Sequence, residues 1–293
     1  PAGFYYKTFM WPKSFWYKIY EPFIRKAAGL GVASIEKDKE RYEHKYEYCD
    51  LLVTGSGPAG LSSAYAAAKN GAKVFLAEDK PRFGGSLLTD DVTIDNLSGK
   101  AWTDKIITQL KEMPNVIVKN RSQVFGYYDH NMTVMIEKTG DHLKDKPKYV
   151  PRQRLWYIRA KEVILSTGSI ERPIVFGNND TPGVFLSAAA KEYIKVYGVL
   201  VGKKPLIFTN NDSGYETALE FKKNGIDPTI LDTREEHSSE LINSAKNQNI
   251  KIKFSYAVIA ANGYKKVNSA QIGKLNKDKT SFVNSETIEC DCI

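Results

Sequence analysis

Between Tyr48 and Glu78 an apolar run, a glycine-rich turn, an alanine-rich stretch and a second apolar run follow one another, and few folds accept that order. Tyr48-Cys49-Asp50-Leu51-Leu52-Val53-Thr54 has the apolar character of a parallel strand covered on both faces. Gly55-Ser56-Gly57-Pro58-Ala59-Gly60 comes next, and Leu61 to Asn70 then carries good helix formers, with Gly71 placed to end the helix. Ala72-Lys73-Val74-Phe75-Leu76-Ala77-Glu78 reads as a second strand. Strand, turn, helix and strand within about thirty residues make a βαβ unit, whose crossover is right-handed.

The glycine spacing predicts a dinucleotide site. Gly55 permits the tight turn out of the strand, Gly57 lets a pyrophosphate approach the backbone, and Gly60 lets the helix pack close to the sheet. The helix N-terminus beyond offers unpaired N–H groups and the positive end of its dipole. Glu78 closes the second strand, where a carboxylate accepts hydrogen bonds from the adenosine ribose hydroxyls. A phosphate on that ribose would meet Glu78 and Asp79, so NAD or FAD is expected rather than NADP; Lys80 and Arg82 stand close enough to soften that preference. Arg82-Phe83-Gly84-Gly85, with Ser86 after it, resembles the GG element that follows the ribose-binding acid in flavoprotein oxidoreductases. Ile164-Leu165-Ser166-Thr167-Gly168-Ser169 resembles their ATG strand and adds Thr167 and Gly168 to the candidate site.

The rest of the chain completes an α/β reading: a Rossmann-like, three-layer FAD/NAD(P)-binding fold with an inserted antiparallel β-meander and a second, degenerate βαβ unit. The meander is expected at about 116–158, from short β-rich runs at Val116–Val118, Val124–Tyr128, Met132–Ile136 and Leu155–Arg159. The second unit runs from strand Pro205–Thr209 through helix Gly214–Asn224 to strand Pro228–Asp232. In place of a second glycine fingerprint it has Thr209-Asn210-Asn211-Asp212-Ser213, where Asp212 would repel an anion, so one dinucleotide is expected and not two. The implied organisation is an aromatic arm and charged lead-in over 1–48, a first dinucleotide-binding domain over 49–198 and a degenerate second domain over 199–293. Ten aromatics in residues 1–23 suggest that the arm packs against a partner subunit. The Pro1 start and the strand-like ending at Ile293 read as a fragment of something longer.

Other chemistries find little support. The +8 net charge comes from scattered lysines without a nucleic-acid motif, and no run approaches the about 18–20 apolar residues of a membrane helix. Without a signal peptide, and with only Cys49, Cys290 and Cys292, a cytoplasmic location is the default. No C-x-x-C pair is present, and His44, His130, His142 and His237 lie far apart, so neither a redox dithiol, a metal site nor a catalytic residue is expected.

More particular segments resemble one family. Pro1-Ala2-Gly3-Phe4-Tyr5-Tyr6-Lys7-Thr8-Phe9-Met10-Trp11-Pro12, Tyr20 to Gly31, Phe125-Gly126-Tyr127-Tyr128-Asp129, Arg152-Gln153-Arg154-Leu155-Trp156, Gly168 to Pro173 and Phe176 to Gly183 are similar to the alpha subunits of heterotetrameric sarcosine oxidases. The resemblance covers essentially the whole chain. It implies NAD at the glycine loop, a beta subunit carrying FAD and the amine-oxidising site, and FMN at their interface. The implied reaction of the complex is oxidation of the sarcosine methyl group to glycine, hydrogen peroxide and formaldehyde or methylene-tetrahydrofolate. Folate chemistry cannot be assigned to these residues, because the folate-binding domain of such subunits has no counterpart among them. Related amino-acid and opine dehydrogenase alpha subunits can hold FAD at the same loop, and an assembly module with a structural dinucleotide is the alternative outside enzymes.

Overall fold

The structure, a computed structural model, describes residues 11–293, and these divide into two compact units between Arg41 and Tyr42. Phe4, Tyr5, Tyr6 and Phe9 of the aromatic arm lie outside the described residues. Within the first unit a π-helical turn, Trp16–Tyr20, runs into helix α1 (Glu21–Ala27), and Trp11, Tyr17 and Phe23 are exposed.

The second unit opens on β1 (Tyr42–Thr54), followed by α2 (Pro58–Lys69), β2 (Val74–Ala77), a short hairpin of β3 (Thr93–Ile94) and β4 (Leu97–Ser98), α3 (Gly99–Glu112) and β5 (Val116–Lys119). β6 (Ser122–Tyr128), β7 (Met132–Lys138) and β8 (Gln153–Leu165) complete a six-stranded sheet of order β5-β2-β1-β8-β7-β6. Strand alternation decides its two faces. Leu51, Val53, Val74 and Leu76 face Leu61, Ala64, Ile106 and Leu110 of the two helices. Leu52, Phe75 and Ala77 face the opposite side, where the sheet curls and the meander brings Met135, Trp156 and Ile158 over them. The Phe75 and Trp156 rings meet edge-on at 5.6 Å. The result is three layers: helices, parallel strands and meander.

Two expectations from the sequence need correction. Val116–Val118 does not belong to the meander; as β5 it pairs in parallel with β2, Val74 opposite Val116, and forms the sheet edge. The runs at Leu155–Arg159 and Glu162–Leu165 are one strand, β8, antiparallel to β7 on one side and parallel to β1 on the other. That long partner is also why β1 begins at Tyr42, with Tyr42 opposite Gln153, and absorbs the end of the charged lead-in.

α4 (Ser187–Tyr197) leads to the second half, where β9 (Leu206–Thr209), α5 (Ser213–Lys223), β10 (Thr229–Asp232), α6 (Glu240–Asn247) and β11 (Lys251–Phe254) form a parallel sheet of order β11-β10-β9. β12 (Tyr256–Gly263), β13 (Val267–Leu275) and β14 (Phe282–Glu289) form an antiparallel sheet. The layering repeats: Ile207 and Ile230 face the helices with Tyr215, Phe221 and Ile242, while Leu206 and Leu231 face Val258 and Ile272.

α4 is the crosspiece between these halves. Lys191 sits between Asp90 (2.8 Å) and Glu216 (2.6 Å), and Asp91 bridges Lys195 to Lys223. Hydrogen bonds from those two lysines hold the Asp91 carboxyl at about 2, below its ordinary 3.8. The folded protein keeps that charge where the unfolded chain takes up a proton, so the contribution is complete above about pH 4 and is lost as pH falls towards 2. Because Asp91 is largely exposed, we expect Asp91→Asn to cost no more than about 1 kcal/mol at neutral pH. The urea-unfolding free energy of the variant should then fall less steeply than that of the parent across that acid interval.

Candidate dinucleotide site

The glycine loop joins the end of β1 to the start of α2, and its three glycines do different work. Gly55 stands at φ +99°, and a Cβ there would lie 2.3 Å from the Ser166 carbonyl oxygen, so glycine alone fits the turn. A Cβ on Gly60 would fall 2.0 Å from the Gly55 carbonyl oxygen, because the helix is pressed against the strand it follows. Gly57 is unlike both. Its φ of −67° and ψ of −176° suit any residue, and a Cβ there would meet nothing within 4 Å. Nothing within the fold requires glycine at this position; what its missing side chain leaves is clear space before the N-terminus of α2.

That N-terminus suits an anion. Pro58 takes the first helical position, where a missing N–H costs nothing, and the next amides, of Ala59 and Gly60, have no intrahelical acceptor. Pro58 and Ala59 are exposed, while Ser56 and Gly60 are buried beneath them.

Glu78, one residue beyond β2 and 6% exposed, reaches back to this loop. Its Oε2 accepts the Ser56 amide at 2.9 Å and the Ser56 hydroxyl at 2.5 Å, and its Oε1 accepts the Lys80 amide at 2.9 Å. Burial pushes the Glu78 carboxyl up from the usual carboxylate range, with a contribution from Asp79; the Ser56 and Lys80 hydrogen bonds pull it back down. The GG element closes the other side. The Gly84 amide donates to the Ser56 carbonyl at 3.1 Å, and a Cβ on Gly85 would lie 3.0 Å from the Gly57 Cα. Ser86 follows, exposed, at the start of a 3-10 turn. Past the end of β8 the Ser166 amide and hydroxyl both donate to the Thr54 carbonyl at 2.8 Å, and the hydroxyl also reaches the Gly55 carbonyl at 3.0 Å. Thr167 and Gly168 therefore emerge, exposed, beside the loop.

The fold thus gathers the glycine loop, Glu78, the GG element and the Thr167–Gly168 segment around one opening. Asp79 is exposed at its rim. Lys80 and Arg82 are engaged by α4: Lys80 Nζ lies 2.9 Å from both Glu192 carboxylate oxygens, and Arg82 donates to the Val196 carbonyl at 3.1 Å. The Ser56 hydroxyl as a second donor to Glu78, and Ser166 as the brace under the turn, are roles that sequence spacing does not announce.

In the second half the corresponding helix start is filled by the chain itself. Asp212 precedes α5 and pairs with Arg234 at 2.8 Å; Arg234 also pairs with the fully buried Asp232 at 2.7 Å, and Asp232 accepts the Tyr215 hydroxyl at 2.8 Å. A carboxylate thus stands where a phosphate would approach. A cavity of about 850 Å³ lies in this half along the open edge of β9, between Phe176, Phe208 and Phe221 with Asn210 and Asn211 at its rim.

Redox chemistry by the cysteines finds no support in the geometry. Cys290 and Cys292 are buried free thiols, which burial pushes up to about 11 and about 12, far from thiolate formation. Among the described residues no cluster of His, Cys, Asp and Glu could hold a metal ion, and no helix is long and apolar enough to cross a membrane.

A parallel sheet with helices on one face and a meander on the other, a glycine loop, a carboxylate after the second strand and a GG element, with the layering but not the glycines repeated in a second half, defines a dinucleotide-binding oxidoreductase domain of the FAD/NAD type. The chain belongs to the pyridine nucleotide-disulphide oxidoreductase family, whose model matches residues 49–293. It is 47% identical over 234 residues, 80% of its length, to sarcosine oxidase subunit alpha of Rhizobium meliloti (strain 1021), and spans 24% of that subunit. Among solved structures, L-proline dehydrogenase from P. horikoshii matches 88% of this chain and 43% of its own at 21% identity, with a TM-score of 0.57. Lactococcus lactis thioredoxin reductase matches 84% and 76% at 19% identity, with a TM-score of 0.60. These two likenesses concern the fold alone.

The loop geometry separates stability from binding. Gly60→Ala should destabilise the protein by about 1–3 kcal/mol, because its Cβ meets backbone that cannot yield. Gly57→Ala should stay within about 0.5 kcal/mol of the parent. Chemical unfolding of the two variants side by side tests the contrast.

Proposed function

We propose that the loop Gly55–Gly60 holds NAD in the alpha subunit of a multi-subunit sarcosine oxidase. The observation that carries the reading is Gly57, a glycine whose backbone and surroundings would accept any side chain yet which borders open space at a helix N-terminus. A pyrophosphate would lie against Gly57, Ala59 and Gly60, with Gly84 and Gly85 opposite and Thr167 and Gly168 alongside. Glu78, already holding the Ser56 amide, retains unused acceptor capacity on Oε1 for a ribose hydroxyl. A dinucleotide bound there supplies a nicotinamide ring able to take a hydride; the residues of this chain bind and orient it.

The 47% identity to a sarcosine oxidase alpha subunit supports assigning the parent reaction, oxidative demethylation of sarcosine to glycine with hydrogen peroxide and formaldehyde or methylene-tetrahydrofolate. In this reading amine oxidation takes place on a beta subunit carrying FAD, FMN lies at the interface with it, and the assembly works in the cytoplasm.

Denaturing the purified protein and identifying what it releases tests the assignment. Colourless protein releasing NAD is the expected result. Yellow protein releasing FAD would overturn the choice of NAD and place a flavin in the loop, as in a dehydrogenase-type subunit. Gly57→Val should fold and lose the nucleotide, since the valine methyls would stand where the pyrophosphate lies; full occupancy in that variant would exclude this loop as the site.

A further inference from the structure

The reading of Gly55–Gly60 as an adenine-dinucleotide site leaves one question about the adenosine end: what becomes of Lys80 and Arg82, the two cations within four residues of the ribose-side acid Glu78. Lys80 is held at the acid itself, its backbone amide donating to Glu78 Oε1 at 2.9 Å. An ammonium anchored there is suitably placed to meet a phosphate on the 2′ oxygen of the ribose. Its Nζ is instead turned to α4, equidistant at 2.9 Å from both carboxylate oxygens of Glu192. Arg82 is drawn to the same helix, donating to the Val196 carbonyl at 3.1 Å with its guanidinium 6.0 Å from the centre of the Tyr197 ring.

Glu192 and Val196 are one turn apart on α4, and Tyr197 ends the same helix. The helix is not free to swing away, because Lys191 is fixed between Asp90 and Glu216 and Lys195 is tied to Asp91. With both cations engaged by this helix, a 2′-phosphate entering the site would meet the carboxylates of Glu78 and Asp79 with neither Lys80 nor Arg82 turned towards it.

We infer that Glu192 is a specificity-determining residue: by withdrawing Lys80 from the adenosine site, it makes the loop select a dinucleotide with an unmodified ribose, NAD, against the 2′-phosphorylated form, NADP. Lys80 and Glu192 are 51% and 31% exposed, so the ion pair contributes little to stability. Its effect is positional. Neutralising Glu192 leaves an ammonium free to meet the phosphate.

This inference rests on the dinucleotide reading, and titration calorimetry separates the two. The parent protein, stripped of any bound nucleotide, is titrated with NAD and with NADP, as are Glu192→Gln, Glu192→Lys and the double variant Glu192→Gln/Lys80→Ala. The expected result is that Glu192→Gln tightens NADP binding by about threefold to tenfold while NAD stays within about twofold, and that removing Lys80 abolishes the gain. Glu192→Lys should tighten NADP at least as much and serves if the first variant does not fold. If the parent binds NAD and the Glu192 variants change neither nucleotide, or change both alike, the inference is overturned and the dinucleotide reading survives. If the parent binds neither nucleotide, the reading of the loop as an NAD site fails, and this inference fails with it.

Discussion

One buried carboxylate holds the candidate site together. Glu78 leaves the end of β2 and takes the amide and hydroxyl of Ser56 from the turn after β1, joining two adjacent strand ends that the sheet's own ladder no longer connects. Ser56 passes the constraint on, because its carbonyl receives the Gly84 amide and draws the GG element over the loop. A charge that is 6% exposed is tolerated because donors meet both of its oxygens. The Ser166 brace and the Gly55 amide on the Ala77 carbonyl hold the start of the loop, and the Glu78 contact fixes its middle at Ser56.

The second constraint is α4, which faces both halves. Its lysines reach Asp90 and Asp91 from the first half and Glu216 and Glu220 from the second. The helix is thus a strut between two copies of one architecture, each with helices on one face of a parallel sheet and a meander on the other. The copies differ at the helix start. In the first, Gly57 leaves an opening; in the second, Asp212 and Arg234 close it with an internal ion pair anchored to Asp232. Repetition of a fold does not repeat its function, because function sits in a few residues at the strand ends.

Local patterns in the sequence read well. The strand of Leu51 to Thr54, the glycine turn, the alanine-rich helix and the carboxylate at position 78 all follow from spacing within a single βαβ unit, and the same rhythm marks β9, α5 and β10. The missing glycines at Asn210 and Asp212 were equally plain as a departure. The meander boundary was less legible. Val116–Val118 looks like any short apolar strand, and only its partner, β2, makes it a parallel edge strand. β8 reads as two strands because polar Lys161 and Glu162 interrupt its apolar run, yet β1 pairs along its whole length while β7 pairs with the Gln153–Arg159 half.

What the sequence by itself determined is therefore the βαβ rhythm, the place of the glycine turn and the loss of its counterpart in the second half, since each depends on residues only a few positions apart. The tertiary structure alone decided the strand order, the long run of β1 alongside β8, and the disposition of the charges around Glu78. Lys80 and Glu192 are 112 residues apart in the chain, and Ser166 and Gly55 are 111 apart. Contacts of that kind leave no periodicity behind. They arise when the sheet and its covering helices bring distant segments together, and side-chain charge and hydrogen bonding then settle which partners meet.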